Sequence, residues 1–176
     1  MYSIQRSIEI DAGHRVPTHG SKCKAPHGHR YGITAEVATD GSLPSDGQEA
    51  GMVMDFGFLK EEMVSQIHDA CDHAFLVYAD DPMLYHLLGY LRPEQAIASL
   101  AHEVRTENKP MPIRESYLHL YVLPKIPTAE NLAEMWFKRL APRVLNRTDG
   151  RAWLAQLQVR ETPNSIALYP ADKSEG

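Results

Sequence analysis

At 176 residues, with 43% apolar and 23% charged side chains, the chain is long enough to bury a core without covalent staples and has the composition of a globular protein rather than a disordered one. A net charge of −5 and a pI near 6.0 argue against general affinity for nucleic acid or an anionic membrane, but leave room for a local basic pocket that takes a small anion. No stretch approaches the roughly 18 apolar residues that span a bilayer. The opening MYSIQRSIEI lacks the charged and apolar regions of a secretory leader, so the expectation is a cytoplasmic protein whose two cysteines, Cys23 and Cys71, stay reduced.

Ser3 to Ala12 reads as a strand. Ile8, Ile10, Ala12 and His14 share one parity, so the strand ends with an imidazole on its apolar face. After a loop carrying Cys23, a second strand is predicted from His27 to Thr39, in which Tyr31, Ile33, Ala35 and Val37 alternate with polar or small neighbours. His27 and His29 are two apart and project from one face of that strand. If the two strands pair, His14, His27 and His29 converge, and three neutral imidazoles with a vacant fourth position describe a catalytic zinc site better than a structural one. The plainer alternative is a set of loop histidines around a Gly- and Pro-rich turn. Cys23 need not be a ligand; beside a divalent cation and the basic side chains of Arg15, Lys22, Lys24 and Arg30 it is expected to be reactive.

Residues 40–51, DGSLPSDGQEAG, hold turn formers and no periodic face. From Met52 the pattern becomes helical, with Asp55 as N-cap and Leu59, Met63 and Ile67, joined by Phe56 and Val64, as the apolar stripe. The helix runs into Cys71, read as a small buried hydrophobe, and then Asp72-His73. A carboxylate beside an imidazole can fix its tautomer and support general acid–base work, although on composition alone the dipeptide reads first as a helix-terminating turn with a satisfied histidine. Two short helices are predicted within 80–116, over Pro82 to Gly89 and Pro93 to Arg105, with His86 and His102 lacking any partner in view. Tyr117 to Leu123 reads as a short strand. Thr128 caps an amphipathic helix carrying Leu132, Ala133, Trp136 and Leu140, expected to end before Pro142. Trp153, Ala155, Leu157 and Val159 alternate along a further strand that Glu161 continues: either a carboxylate on the buried side with something to bind, or a residue just past the strand end in water. Ile166 to Tyr169 returns as its hairpin partner, followed by a polar tail. Two hairpins separated by helices define an α+β fold in one domain spanning 1–176.

The pieces AGHR (Ala12 to Arg15), Cys23 with three residues between it and HGH (His27 to His29), GMVMDF (Gly51 to Phe56), DH (Asp72-His73), PTAEN (Pro127 to Asn131) and ET (Glu161-Thr162) occur in an order that resembles the tunnelling-fold enzymes of the 6-pyruvoyl-tetrahydropterin synthase and 6-carboxytetrahydropterin synthase family. The resemblance covers the chain except for about 80–116, which it makes an insertion, and the tail. It implies a four-stranded antiparallel sheet of two hairpins with two main helices on one face. It further implies that His14, His27 and His29 hold Zn2+, that Cys23 is the proton-abstracting base, that Asp72 and His73 form a relay, and that Glu161 grips the pterin ring, with Thr128 adding a hydrogen bond. The substrate implied is 7,8-dihydroneopterin triphosphate. The short gap between Cys23 and His27 is similar to the bacterial branch of the queuosine pathway, whose products are 6-carboxy-5,6,7,8-tetrahydropterin, acetaldehyde and triphosphate; the pyruvoyl branch and a non-catalytic pterin-binding ring remain alternatives. A homo-oligomeric ring with active sites at subunit borders is implied as well, and it suits a short sheet with free edges. An unrelated zinc hydrolase would want a carboxylate near the metal, for which Glu36 and Asp40 are nearest in sequence.

Overall fold

The computed structural model describes residues 1–115 and 117–170; the polar tail expected at the end of the chain lies outside them from residue 171 onward. Strands β1 (Tyr2–His14) and β2 (His27–Thr39) form one antiparallel hairpin in unbroken register from Tyr2 opposite Thr39 to His14 opposite His27. The second expected hairpin, β6 (Trp153–Thr162) with β7 (Ser165–Tyr169), pairs through β6 to β2.

These four strands are not the whole sheet. It has seven strands, and the four-stranded expectation is corrected accordingly. β3 (Phe75–Tyr78) lies parallel to the end of β1, through Gly13 and His14; β5 (Leu118–Leu123) lies parallel to β3; and β4 (Met111–Glu115) closes that side as an antiparallel edge. The spatial order is β4-β5-β3-β1-β2-β6-β7. β3 is only four residues long, too short to show an alternation, and β4 carries Pro112, so neither announces itself in sequence.

Helix α1 (Phe56–Met63) starts where the Asp55 carboxylate accepts the backbone N–H groups of Gly57 (2.6 Å) and Phe58 (3.3 Å). It passes through a wide π turn, Val64–His68, into the short α2 (Asp69–Cys71). Leu59, Met63 and Ile67 are buried as the periodicity predicts, whereas Phe56 is half-exposed beside the cap. α3 (Pro82–Leu88) and α4 (Glu94–Thr106) match the two short helices expected there. α5 (Ala129–Arg147) does not stop before Pro142. Its buried stripe of Leu132, Ala133, Trp136, Leu140 and Val144 runs on past the proline, which sits on the solvent side; continued burial outweighs the one hydrogen bond that the missing N–H removes.

Neighbouring residues of a strand face opposite ways, and the core divides accordingly. Leu76, Tyr121 and Leu123 pack with α1 and α5 in the larger cluster, which also holds Tyr31, Ile33 and Trp136. Val77, Leu120 and Val122 turn to the other face, where Leu84 and Leu88 of α3 and Ile97, Leu100 and Val104 of α4 cover them. The two main helices thus share one face as expected, while α3 and α4 of segment 80–116 layer the far side. Among the described residues, no helix is long and apolar enough to cross a membrane.

Candidate metal centre and the cavity beside it

His14 is the last residue of β1 and His27 the first of β2, and they are register partners, so the hairpin itself brings them together across the mouth of the loop. Gly28 between His27 and His29 answers to the same closeness: a Cβ there would lie 3.2 Å from the carbonyl oxygen of Ala12 on the facing strand. One ring nitrogen each from His14, His27 and His29 falls within 4.8 Å of the others. His14 is buried, and the other two are half-buried.

Second contacts fix the tautomers. His14 Nδ1 lies 2.7 Å from the carbonyl oxygen of Pro127, and His27 Nδ1 lies 2.9 Å from that of Ala25. A carbonyl only accepts, so both Nδ1 atoms carry the proton and both Nε2 atoms present lone pairs. Those two Nε2 atoms stand 3.1 Å apart. Two lone pairs at that separation repel unless a cation or proton lies between them. Burial lowers the pKa of His14, against the pull of the Pro127 carbonyl and Glu161, and lowers that of His29 as well, so protonation is disfavoured at both. The donor set fits a divalent metal with three imidazole ligands.

Glu161 stands beside this cluster, with Oε1 3.5 Å from His14 Nε2 and 3.5 Å from the Tyr31 hydroxyl. Of its two sequence readings, the half-buried one holds. The cause is local: β6 and β7 slip register between Arg160 and Thr162, leaving Glu161 as the extra residue of a bulge, a device that re-aims a side chain. An earlier slip, opposite Glu36 and Val37, reverses the predicted parity at the start of β6, so Leu154 is buried while Trp153 and Ala155 are only partly so. The carboxylate nearest the imidazoles is thus Glu161 rather than Glu36, which accepts from Gln5 along the β1–β2 ladder, or Asp40.

Cys23 sits on a single 3-10 turn, Lys22–Lys24, tied down by the Val16 amide donating to the Cys23 carbonyl at 2.8 Å. With His14, His27, Thr128 and Glu161 it lines a cavity of about 320 Å³. The guanidinium groups expected to act on the thiol are engaged elsewhere: Arg15 makes two hydrogen bonds to Asp81, at 2.7 and 2.9 Å, and Arg30 two to Asp11, at 2.9 and 2.8 Å. Thr128 caps α5 by accepting the Asn131 N–H at 3.3 Å, leaving its own hydroxyl proton free to donate. Two residues passed over in the sequence belong to this constellation. His19 lines the same cavity, and the Tyr31 hydroxyl, its ionisation strongly disfavoured by burial and by Glu161, borders the carboxylate. His19 was visible as a further imidazole in the loop; Tyr31 looked like core, and is.

Asp72 and His73 lie apart from that cavity. Asp72 ends α2, and His73, at φ 59°, turns the chain so that its amide donates to the Asp11 carbonyl at 2.7 Å. Asp72 accepts the Asp11 amide at 3.0 Å on one oxygen and faces His73 Nδ1 at 2.8 Å on the other. Burial opposes its ionisation, but those hydrogen bonds and the neighbouring imidazoles prevail and hold its pKa below the usual carboxylate range. The His73 ring is largely exposed in a separate open groove that His29 and Arg30 also border. The pair therefore forms a carboxylate–imidazole unit, directed away from Cys23 within one chain. Cys71 is buried, and burial pushes its thiol up to about 12, which makes it inert packing.

Fold and site together define a class: an α+β protein whose sheet ends in three imidazoles suited to a metal, with a thiol and a carboxylate facing them. Residues 3–172 match the 6-pyruvoyl tetrahydropterin synthase family, and the chain belongs to it. It is similar to a protein of Rickettsia felis named 6-carboxy-5,6,7,8-tetrahydropterin synthase, 28% identical over 164 residues that cover 93% of this chain and 96% of the relative. Among solved structures, an uncharacterised protein of Wolinella succinogenes superposes with a TM-score of 0.71 at 20% identity, covering 97% of this chain and 98% of that one. The 6-pyruvoyl tetrahydropterin synthase of Caenorhabditis elegans does so with a TM-score of 0.56 at 20% identity, covering 96% and 94%. The fold is that of the pterin synthases, with a mixed seven-stranded sheet.

Proposed function

We propose that this protein is a zinc-dependent 6-carboxy-5,6,7,8-tetrahydropterin synthase, a lyase acting on 7,8-dihydroneopterin triphosphate in queuosine biosynthesis in the cytoplasm. Family membership and the name carried by its relatives support the reaction class. The observation that carries the reading furthest is the shared cavity, in which a thiol, a carboxylate and two imidazoles with opposed Nε2 lone pairs face one another.

His14, His27 and His29 hold the cation, with Pro127 and Ala25 fixing the orientation of two of the rings. When bound, the metal supplies Lewis acidity toward the oxygens of the substrate side chain. Glu161 accepts the two adjacent N–H donors on the pyrimidine edge of the pterin, which compensates its partial burial and orients the ring. Thr128 donates a further hydrogen bond to it. Cys23 acts as the base that removes the side-chain proton, and His73, held in one tautomer by Asp72, supplies or accepts the second. Cleavage of a carbon–oxygen bond releases triphosphate; one water then adds at the carbon that becomes the carboxylate, and cleavage of its carbon–carbon bond releases acetaldehyde, with no net oxidation or reduction.

Because His73 and Cys23 line different hollows of one chain, this reading requires a second copy to bring its relay to the thiol. A ring joined at free sheet edges does so. β3 covers β1 only at Gly13 and His14, which leaves the rest of β1 and the outer edge of β7 available for pairing. Metal analysis together with mass identification of products tests the proposal: about one zinc per chain and acetaldehyde formed from dihydroneopterin triphosphate are expected. Loss of triphosphate without acetaldehyde would assign the pyruvoyl product instead.

A further inference from the structure

Away from the catalytic cavity, a cleft of about 430 Å³ lies between α5, the turn at Asn108–Pro110 and the segment Pro124–Ile126. We propose that this cleft is a second ligand site, taking a small organic polyanion: an apolar body bearing phosphate or similarly charged groups.

Its lining is cationic in a protein whose net charge is −5. Lys109, Lys125, Lys138, Arg139 and Arg143 face it against one carboxylate, Glu134. Glu134 is already saturated, by Lys125 at 2.6 Å and Lys138 at 2.6 Å. Lys109 and Arg143 have no ion pair among the described residues. Arg139 and Arg143 stand four apart on α5, where like charges destabilise a helix, so the fold gains nothing from the pairing. Arg139 is also aimed rather than free. Its guanidinium is held by the Tyr121 hydroxyl at 3.2 Å and by Gln66 Oε1 at 3.5 Å, while its buried Nε has no partner. Gln66 comes from the π turn, a helix irregularity that recurs at binding sites. Leu123, Ile126 and Met135 provide the apolar floor. A bare inorganic anion would use the cations and waste that floor; a nucleoside-phosphate-like molecule uses both.

The floor leads directly to the metal centre. Ile126 O accepts from Asn131 Nδ2 at 2.9 Å and from the Thr128 amide at 2.8 Å, and Asn131 lines the cleft. Between them stands Pro127, whose carbonyl orients His14. A ligand in the cleft therefore presses on the turn that carries an outer contact of the metal site, which makes it an effector site.

Calorimetric titration of the 176-residue chain with ATP, and in parallel with inorganic triphosphate, tests this directly. The expected result is one saturable ATP site with weaker binding of triphosphate, both weakened about tenfold or more in the Lys109→Glu/Arg143→Glu pair. The neutral pair Lys109→Gln/Arg143→Gln, milder for folding, is expected to lose affinity in the same direction. Amide exchange at Thr128 should slow when ATP is bound. ATP affinity unchanged in both pairs would put the anion in the catalytic cavity and overturn the proposal, as would absence of binding to the unmodified chain. Equal affinity for triphosphate and ATP would overturn the organic class, and unaltered exchange at Thr128 the effector role. None of these readouts depends on turnover, so the pterin reading stands or falls separately.

Discussion

Replacing His27 by Ala removes one Nε2 of the opposed pair, and bound zinc, measured by elemental analysis, is expected to fall well below one per chain. Cys23→Ala should keep metal content and assembly while abolishing turnover, because the thiol lines the cavity without being needed as a ligand. An acid titration carries a definite sign. Burial lowers the pKa of both His14 and His29 from the ordinary 6.5, so the unfolded chain binds more protons than the folded one as pH falls below that value. The stability this contributes is complete above 6.5 and is lost progressively as pH drops toward the lowered folded values. The melting temperature of the metal-free protein should decline across that window, and an unchanged Tm from pH 7 to 5 would contradict it. At this scale much was legible: parity placed His14 on the inner face and HGH supplied its partners. Glu161 stayed ambiguous because its direction depends on a bulge, and a bulge depends on pairing with β7, which no local pattern reports.

At the scale of elements, the short loop end of β1 is anchored to the segment 80–116 by one ion pair. Asp81, buried at 1% exposure, caps α3 through the Met83 amide at 2.9 Å and receives Arg15, the residue after His14. Truncating it removes a cap and leaves a mostly buried guanidinium unpaired. Asp81→Ala is expected to cost about 3 kcal/mol in denaturant unfolding and to loosen metal binding through Arg15. Arg15→Ala, which leaves the cap in place, should cost less. Helices α1, α3 and α4 could be read from caps and periodicity. Of the three strands added beside β1, β5 was read directly as a short apolar run, its burial on both faces fitting the lack of alternation, whereas β3 and β4 are held by long-range pairing rather than by their own pattern. Pro142 misled for the opposite reason, since a local helix breaker was overruled by packing on both sides of it.

For the molecule as a whole, the separation of Cys23 from Asp72-His73 makes a prediction that needs no structure of an assembly. If complete sites form between copies, two inactive variants, Cys23→Ala and His73→Ala, should recover part of the normal activity when unfolded together and refolded as a mixture. A mixture as inactive as either parent would mean that each site is built from one chain. The overall α+β class and the helix-on-sheet layering were foreseeable from composition and element order. The second layer of helices on the far face was not, because it exists to cover β3 and β5, and their place in the same sheet as β1 is set by long-range pairing.

The pairing of His14 with His27 as the final rung before a loop of residues 15–26 has a mechanical corollary. An ion gripped there works as a clasp on the open end of a long two-stranded ribbon, shortening the excursions of the loop that carries Cys23. Stripping the metal should leave the sheet standing yet let that end breathe, so the same cation that would activate a substrate also decides how steadily the proton-abstracting sulphur is held.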